Sequence, residues 1–463
     1  MTITPLHPDT ANALGRLAAD IDGRLDLPDS PEWSTVSQAW NLSIAQRPSA
    51  VLTAASPTDI VKAVRFAGAH GMRVSAQPSG HGATRALDDT ILVRTTALDD
   101  TWIDAEARIA RVGAGVKWGA LQAALDGTGL TGLTGSNPDV SVVGFCLGGG
   151  LSWFTRPFGP GSGALSAVEI VDAHGAHRWI SDDNAPELMW ALRGGGGEFG
   201  IVTAVEIDLF HAPQITAGRI VFPATDARAV LRAVAAATEA APPELTLWAS
   251  IMHFPPIPEL PDAIRGQSFC FVDTALLGAP GSLDALLSPV RAAGTVLRDT
   301  VRPVQPSDMA AICEEPVDPS PGTHSSTTIT KLDERLIDLV LDRTGTPGST
   351  PLTQIQFRHL GEAAAAGRPG AVDLRRCEAE FAVTMLAVAP VPTLLDAASA
   401  AMTALRGELS PWSAGPTVPT LLGPDDDSPE HAFDADTLAK LCRLKEAVDP
   451  SYVVRGNYPV HGR

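Results

Sequence analysis

Residues 73–84 read Arg-Val-Ser-Ala-Gln-Pro-Ser-Gly-His-Gly-Ala-Thr, and the segments on either side of them decide the fold. Arg73 to Ala76 is a short strand, and 77–85 is a loop. Upstream, 50–54 is another short apolar strand, followed by Ser56-Pro57-Thr58-Asp59, a helix N-cap with proline at the first helical position. Ile60, Val61, Val64, Arg65 and Ala67 continue at helical spacing to His70-Gly71, a stop signal. Downstream, 90–94 is a further strand. Strand, helix and strand within about 30 residues form a βαβ unit, which sets its strands parallel and places a ligand site at their ends. The 78–84 loop lies at such an end. Its small residues let backbone N–H groups approach a pyrophosphate or similar anion.

Two further glycine clusters follow. One runs from Gly135-Ser136-Asn137-Pro138 through Gly144 to Gly148-Gly149-Gly150, and the other is Arg193-Gly194-Gly195-Gly196-Gly197-Glu198-Phe199-Gly200-Ile201-Val202. Four consecutive glycines lose much conformational entropy on folding, so a close backbone approach must offset it. A histidine inside the first cluster strengthens the case for a site. By contrast, Gly113-Ala-Gly115-Val-Lys-Trp-Gly119 has GxGxxxG spacing with no acidic residue ending the following strand, so it reads as a tight strand-to-helix turn and not a nicotinamide fingerprint. No P-loop, HExxH, GxSxG or EF-hand pattern occurs, which argues against a nucleotide hydrolase, a zinc hydrolase and a serine hydrolase.

The remaining chain alternates strands and helices. Strands are expected at 108–113, 167–172, 202–209, 245–253, 352–359 and 378–388, and helices at 224–240, 282–293, 392–406 and 437–447. An acidic loop at 423–436 precedes the last helix, and a short strand at 452–455 follows it. From 213 onward, long helices beside face-alternating strands suggest an antiparallel sheet with helical cover. The net charge, 34 − 53 = −19, speaks against nucleic acid or an anionic membrane as partner. Cys146, Cys270, Cys313, Cys377 and Cys442 are scattered and odd in number, which suits a reducing compartment and gives no metal site. With no apolar leader at 1–15 and no apolar run long enough to span a bilayer, a cytoplasmic location is the expectation.

The order SGHG (79–82), GSNPDVSVVGFCLGGGLSW (135–153) and ELMWALRGGGGEFGIVT (187–203) resembles the FAD-linked oxidases of the berberine-bridge-enzyme type. RPSAV (47–51), SPTDIVKAVRFA (56–67), LKEAVDP (444–450) and RGN (455–457) fit the same pattern. The match covers about 40–212 and 437–460, and the middle fits loosely. The resemblance implies an α+β chain with a PCMH-type FAD-binding fold of two α/β subdomains, plus a substrate domain whose antiparallel sheet is covered by helices. The expected division is 1–212 for FAD, 213–420 for substrate, and a returning segment at 421–463. The implied cofactor is FAD, attached through His81 alone, as in monocovalent bacterial members; Asn137 stands where some relatives place a second linking cysteine. The implied flavin contacts are Ser79, Gly80, Gly82, Ala83, Gly135, Ser136, Asn137, Val140, Gly144, Gly148, Gly149, Gly150, Gly200, Ile201, Val202 and Asn457.

The implied reaction is removal of hydride from a C–H beside oxygen or nitrogen in a small or medium metabolite, to flavin N5, with dioxygen yielding peroxide. A dehydrogenase using another acceptor, and a binding protein with a degenerate flavin pocket, are the alternatives. Many relatives take a base from a tyrosine before the last helix, but 416–422 holds none, and the chain's tyrosines are Tyr452 and Tyr458. Strand alternation puts Gln354, Gln356 and Arg358 on one face of 352–359, and Thr353, Ile355, Phe357 and His359 on the other. Glu380, sharing a face with Ala382 and Thr384, is the first candidate base, with Arg358 beside it; His253 and Trp248 are further candidates.

Overall fold

The computed structural model describes residues 7–258, 260–345, 348, 350–361, 366–374, 378–389, 391–425 and 428–461. Cys377 lies outside them, as do parts of the 423–436 loop and of the region before Glu378.

The βαβ unit is present as read. Ala50–Thr53 and Arg73–Ala76 both pair parallel with Thr90–Arg94, and Arg24–Asp26 adds antiparallel to the outer edge. The crossover helix Pro57–His70 starts with proline in its first turn and ends at Gly71, which adopts φ 64°. Ile60, Ala63, Val64 and Ala67 form its fully buried stripe against this sheet. Beside it stands a second, wholly antiparallel sheet, ordered Thr101–Asp104, Ile109–Gly113, Ile201–Asp208, Leu165–Val171 and His177–Ser181. The glycine clusters occupy the loops between these strands and the short helices Val142–Leu147 and Pro186–Leu192.

A large antiparallel sheet makes the rest. Its order is Arg298–Asp299, Ile215–Pro223, Ser268–Leu277, Leu245–His253, Gln354–His359, Phe381–Val388 and Gly322–Ile329. Helices Ala227–Glu239, Pro280–Arg291, Glu334–Thr344 and Pro392–Leu409 share one apolar core with a single face of it, burying Ile220, Leu247, Ile251, Val272, Phe357 and Val383. The opposite face turns toward the first two sheets. The strands 215–223, 268–277 and 322–329 and the helix 334–344 were not expected from sequence.

The C-terminal helix Ala435–Val448 carries the chain back to the first sheet. Fully buried Lys445 donates from Nζ to Glu198 O at 2.6 Å, Asp449 Oδ2 at 2.7 Å and Val454 O at 2.7 Å, while Asp449 accepts from the N–H groups of Val453 and Val454. The expected strand 452–455 is reduced to one parallel bridge, Val74 with Val454, because this buried ion cluster and not a ladder holds it. Among the described residues, no helix is long and apolar enough to cross a membrane, and no acid, histidine and cysteine grouping could hold a metal.

Candidate active site

Between the glycine loops and the open face of the large sheet lies a cavity of about 1120 Å³. It exceeds the roughly 300–1,000 Å³ of ordinary small-molecule pockets. At one end His81 stacks on Trp40, ring centroids 4.2 Å apart. Its Nε2 is 3.6 Å from Asp139 Oδ2, and Asp139 is itself ion-paired with Lys117. Burial pushes the imidazole pKa down to about 4, against the opposing pull of Asp139. His81 is therefore neutral at neutral pH, with a lone pair to give. Gly80 makes this loop possible: it has φ 93°, and a Cβ there would come within 3.0 Å of Trp40 N.

The cavity wall is unsatisfied in a way that fits a large polar cofactor. Gln77 Nε2, Thr95 Oγ1, His81 Nε2 and Asn457 Oδ1 all border it and have no hydrogen-bond partner among the described residues. Each such buried group costs about 1–3 kcal/mol unless a ligand meets it. Gly196 and Gly197 face open space, with no atom within 4 Å of where a Cβ would stand. The returning segment closes the cradle, since Asn457 Nδ2 donates to Gly82 O at 2.6 Å and Thr84 Oγ1 to Asn457 O at 2.8 Å.

Of the flavin contacts expected from sequence, all but Ala83, Gly149, Gly150 and Ile201 line this cavity. Ala83 is buried and closes the turn onto Gly80 O. Gly149 and Gly150, at φ 96° and 70°, are there for packing: a Cβ would lie 3.1 Å from Val372 and 2.4 Å from Phe145 respectively. Ile201 belongs to the core of the first sheet. Asn137, far from acting as a link, donates from Nδ2 to Pro316 O at 2.9 Å and accepts the Asp139 N–H at 2.8 Å. Gly196 and Gly197 of the third glycine cluster line the cavity as well, and so do Gln77, Thr95 and Tyr458, which were not read as cofactor contacts.

The sheet wall is organised in rows fixed by strand register. Arg219, Asp273, Trp248, Arg358 and Ala382 lie side by side; the next row is Val221, Phe271, Ser250, Gln356 and Thr384; the third is Pro223, Phe269, Met252, Gln354 and Leu386. The alternation expected for Gln354, Gln356 and Arg358 thus faces the cavity, while Ile355 and Phe357 enter the helix-covered core. Trp248 stacks on Trp153 at 3.7 Å and His253 bonds Ser268 Oγ at 2.7 Å, and neither candidate lines the cavity. Glu380 also stands outside the lining. It precedes its strand, where the chain turns, and its carboxylate sits beside Gly361 and within Coulombic reach of Arg156.

Residues 48–181 match the family model for an FAD binding domain. The chain is 33% identical over 196 residues to (R)-6-hydroxynicotine oxidase of Paenarthrobacter nicotinovorans, covering 42% of this chain and 43% of that one. It is 29% identical over 209 residues to glucooligosaccharide oxidase of Sarocladium strictum, covering 44% and 42%. The matches thus span less than half the length of these curated relatives. In structure it resembles a Physcomitrella patens BBE-like protein, with TM-score 0.83, 19% identity, and coverage of 97% of this chain and 100% of that one. It also resembles 6-hydroxy-D-nicotine oxidase from Arthrobacter nicotinovorans, with TM-score 0.78, 23% identity, and coverage of 95% and 98%. Residues 48–181 are thus similar to the FAD binding domains of FAD-linked oxidoreductases. As a whole, the chain has the fold of the BBE-like protein, with the segment similar to an FAD binding domain at 48–181.

Proposed function

We propose that this protein is an FAD-dependent oxidase of a small or medium, largely apolar metabolite, with its flavin attached through His81 alone. The observation that carries the reading is one continuous cavity, running from a neutral His81 along an unsatisfied glycine cradle to a half-polar, half-apolar sheet wall. FAD, when bound, supplies a two-electron acceptor that removes hydride from a C–H beside oxygen or nitrogen and passes the electrons to dioxygen.

The chain's own residues divide the remaining work. His81 carries the link to the flavin 8-methyl carbon, for which a neutral imidazole is the reactive form. Gln77, Thr95 and Asn457 offer donors and acceptors to the cofactor. Phe254, Phe269, Phe271 and Met252 exclude water and receive apolar substrate surface.

The group that accepts the substrate's O–H or N–H proton is assigned to Glu315. Other acids on the cavity are occupied: Glu314 pairs with Arg298, and Glu198 is bound by the Gly456 N–H near Lys445. On the same wall Asp273 is held by Arg219. The Tyr458 hydroxyl donates to Leu422 O at 2.7 Å. Glu315 lines the cavity, is half-buried, and has no ion pair or hydrogen bond to its carboxylate among the described residues.

The test is a visible spectrum of the purified protein, followed by acid denaturation and peptide mapping. The reading expects flavin colour that stays with the peptide containing His81, and peroxide release with a turned-over substrate. Colour lost to the supernatant would overturn the covalent link. A substrate-reduced flavin that ignores dioxygen would replace the oxidase with a dehydrogenase, and a colourless protein unable to take up FAD would end the proposal.

A further inference from the structure

The arginines on the substrate wall are not equivalent. Arg219 is locked to Asp273 through two hydrogen bonds, at 2.5 and 3.0 Å. Arg298 is held by both oxygens of Glu314. Arg358 has no carboxylate within 4 Å among the described residues, though Glu315, Asp273 and the Cys313 thiol lie within Coulombic range. Its guanidinium stacks on the Trp248 ring, 4.3 Å from the centroid, and its Nε donates to Gln356 Oε1 at 2.7 Å. Trp248 is in turn immobilised against Trp153. Stacking and the Nε bond fix the plane of the guanidinium and leave its two terminal nitrogens as a preorganised fork on the cavity wall. A half-buried guanidinium whose nearest carboxylates stand beyond ion-pair distance gains from a ligand that pairs with it directly. Such a fork matches a planar oxyanion in bidentate geometry.

The surroundings define the rest of the ligand. Moving along the wall from Arg358 to Gln354 covers four residues, about 13 Å. Over that distance the neighbours become Phe271, Met252 and Phe269, and then the 254–267 loop, whose Phe254, Ile257 and Ile264 cover the cavity. That loop is folded on itself, with Arg265 donating to the carbonyls of Ile257, Pro258 and Leu260. It presents an apolar underside.

We infer that Arg358 anchors a carboxylate of the substrate, so that this enzyme acts on apolar carboxylic acids whose hydrophobic body lies under Phe254, Ile257 and Ile264. This rests on the oxidase reading for its meaning, but it is tested by binding and not by turnover. Isothermal titration calorimetry of the purified flavoprotein with 4-phenylbutyrate and with its neutral amide, 4-phenylbutyramide, provides the comparison. A charge-assisted bidentate contact predicts that the acid binds at least 10-fold more tightly than the amide. In Arg358→Gln that preference should fall below 2-fold, and Arg358→Lys should retain an intermediate ratio. Flavin absorbance and a melting curve on each sample establish that the site is loaded and folded; should Arg358→Gln be unfolded, the wild-type ratio and Arg358→Lys decide. Equal binding of acid and amide by wild type, no binding of either, or a preference that survives in Arg358→Gln each overturns the inference. Absence of flavin in the wild type would instead sink the oxidase reading, so the two failures are told apart.

Discussion

Gly197 and Gly150 stand in two of the chain's glycine runs, yet an added methyl should do opposite things at each. At Gly197 a Cβ meets nothing within 4 Å, and the backbone is outside the left-handed region, so Gly197→Ala strains neither fold nor neighbour. Removing glycine flexibility from the unfolded chain stabilises by about 0.4–1 kcal/mol at such positions. The methyl instead projects into the cavity where the cofactor backbone is cradled, and Gly197→Leu fills it further. At Gly150 the φ of 70° costs about 1–2 kcal/mol for any L side chain, and the Cβ stands 2.4 Å from Phe145 Cε1. Forcing Phe145 aside adds about 1–3 kcal/mol, for a total of about 2–5 kcal/mol. Urea unfolding midpoints and flavin-to-protein absorbance ratios on the same preparations read both effects. Gly197→Leu should lose most of its flavin and unfold like flavin-free wild type; Gly150→Ala should unfold early. Full flavin occupancy in Gly197→Leu would refute the cradle, and an unchanged midpoint in Gly150→Ala would refute the packing role.

Replacing the proposed proton acceptor, Glu315→Gln, should slow substrate-driven flavin reduction by about 10²–10⁴-fold in stopped flow while substrate affinity changes little, with Glu315→Asp partly restoring it. His359 is buried and its pKa is pushed down to about 3 by desolvation and by nearby Arg156. Because the folded value lies below the unfolded value of about 6.5, the unfolded chain binds the proton first, and stability is complete above pH 6.5 and falls toward pH 3 by up to about 1.4 kcal/mol per pH unit. His359→Phe should flatten that slope in urea titrations across the same range. Asp273→Asn leaves Arg219 buried without its counter-charge and should destabilise by about 3–5 kcal/mol, whereas the double replacement Arg219→Met with Asp273→Leu should recover most of the loss.

The first sheet was legible because its signals are local. Pro57 at the helix start and Gly71 at its end sit where backbone geometry demands them. The glycine runs were legible as a cluster but not as separate jobs, since what several of them avoid lies far along the chain: Gly149 and Gly194 meet Val372, and Gly148 meets Thr420. In the substrate domain, Gln354, Gln356 and Arg358 were placed on the correct face because their strand alternates. Ile215–Pro223 and most of Ser268–Leu277 are buried on both faces, between helices and the other sheets, so no period of two marks them. For Glu380 the parity was right, but the strand begins one residue later, and the turn there carries the carboxylate toward Arg156.

Glu315 had no such signal, being held by tertiary contacts alone. Its neighbour Pro316 gives its carbonyl to Asn137 Nδ2, and Cys313 Sγ donates to Asp273 Oδ2 at 3.5 Å, so the 313–316 loop is pinned between the second glycine loop and the sheet wall. Asn137 stands where a second flavin-linking cysteine was considered and instead provides that tie. A thiol there would form no comparable bond to the Pro316 carbonyl, since sulfur is a weak donor. On the proposed reading, the side chain at 137 therefore bears on two properties together: the number of cofactor links, and the position of the Glu315 carboxylate. The base that 416–422 lacks is, on the same reading, supplied by Glu315, which this loop places on the cavity wall.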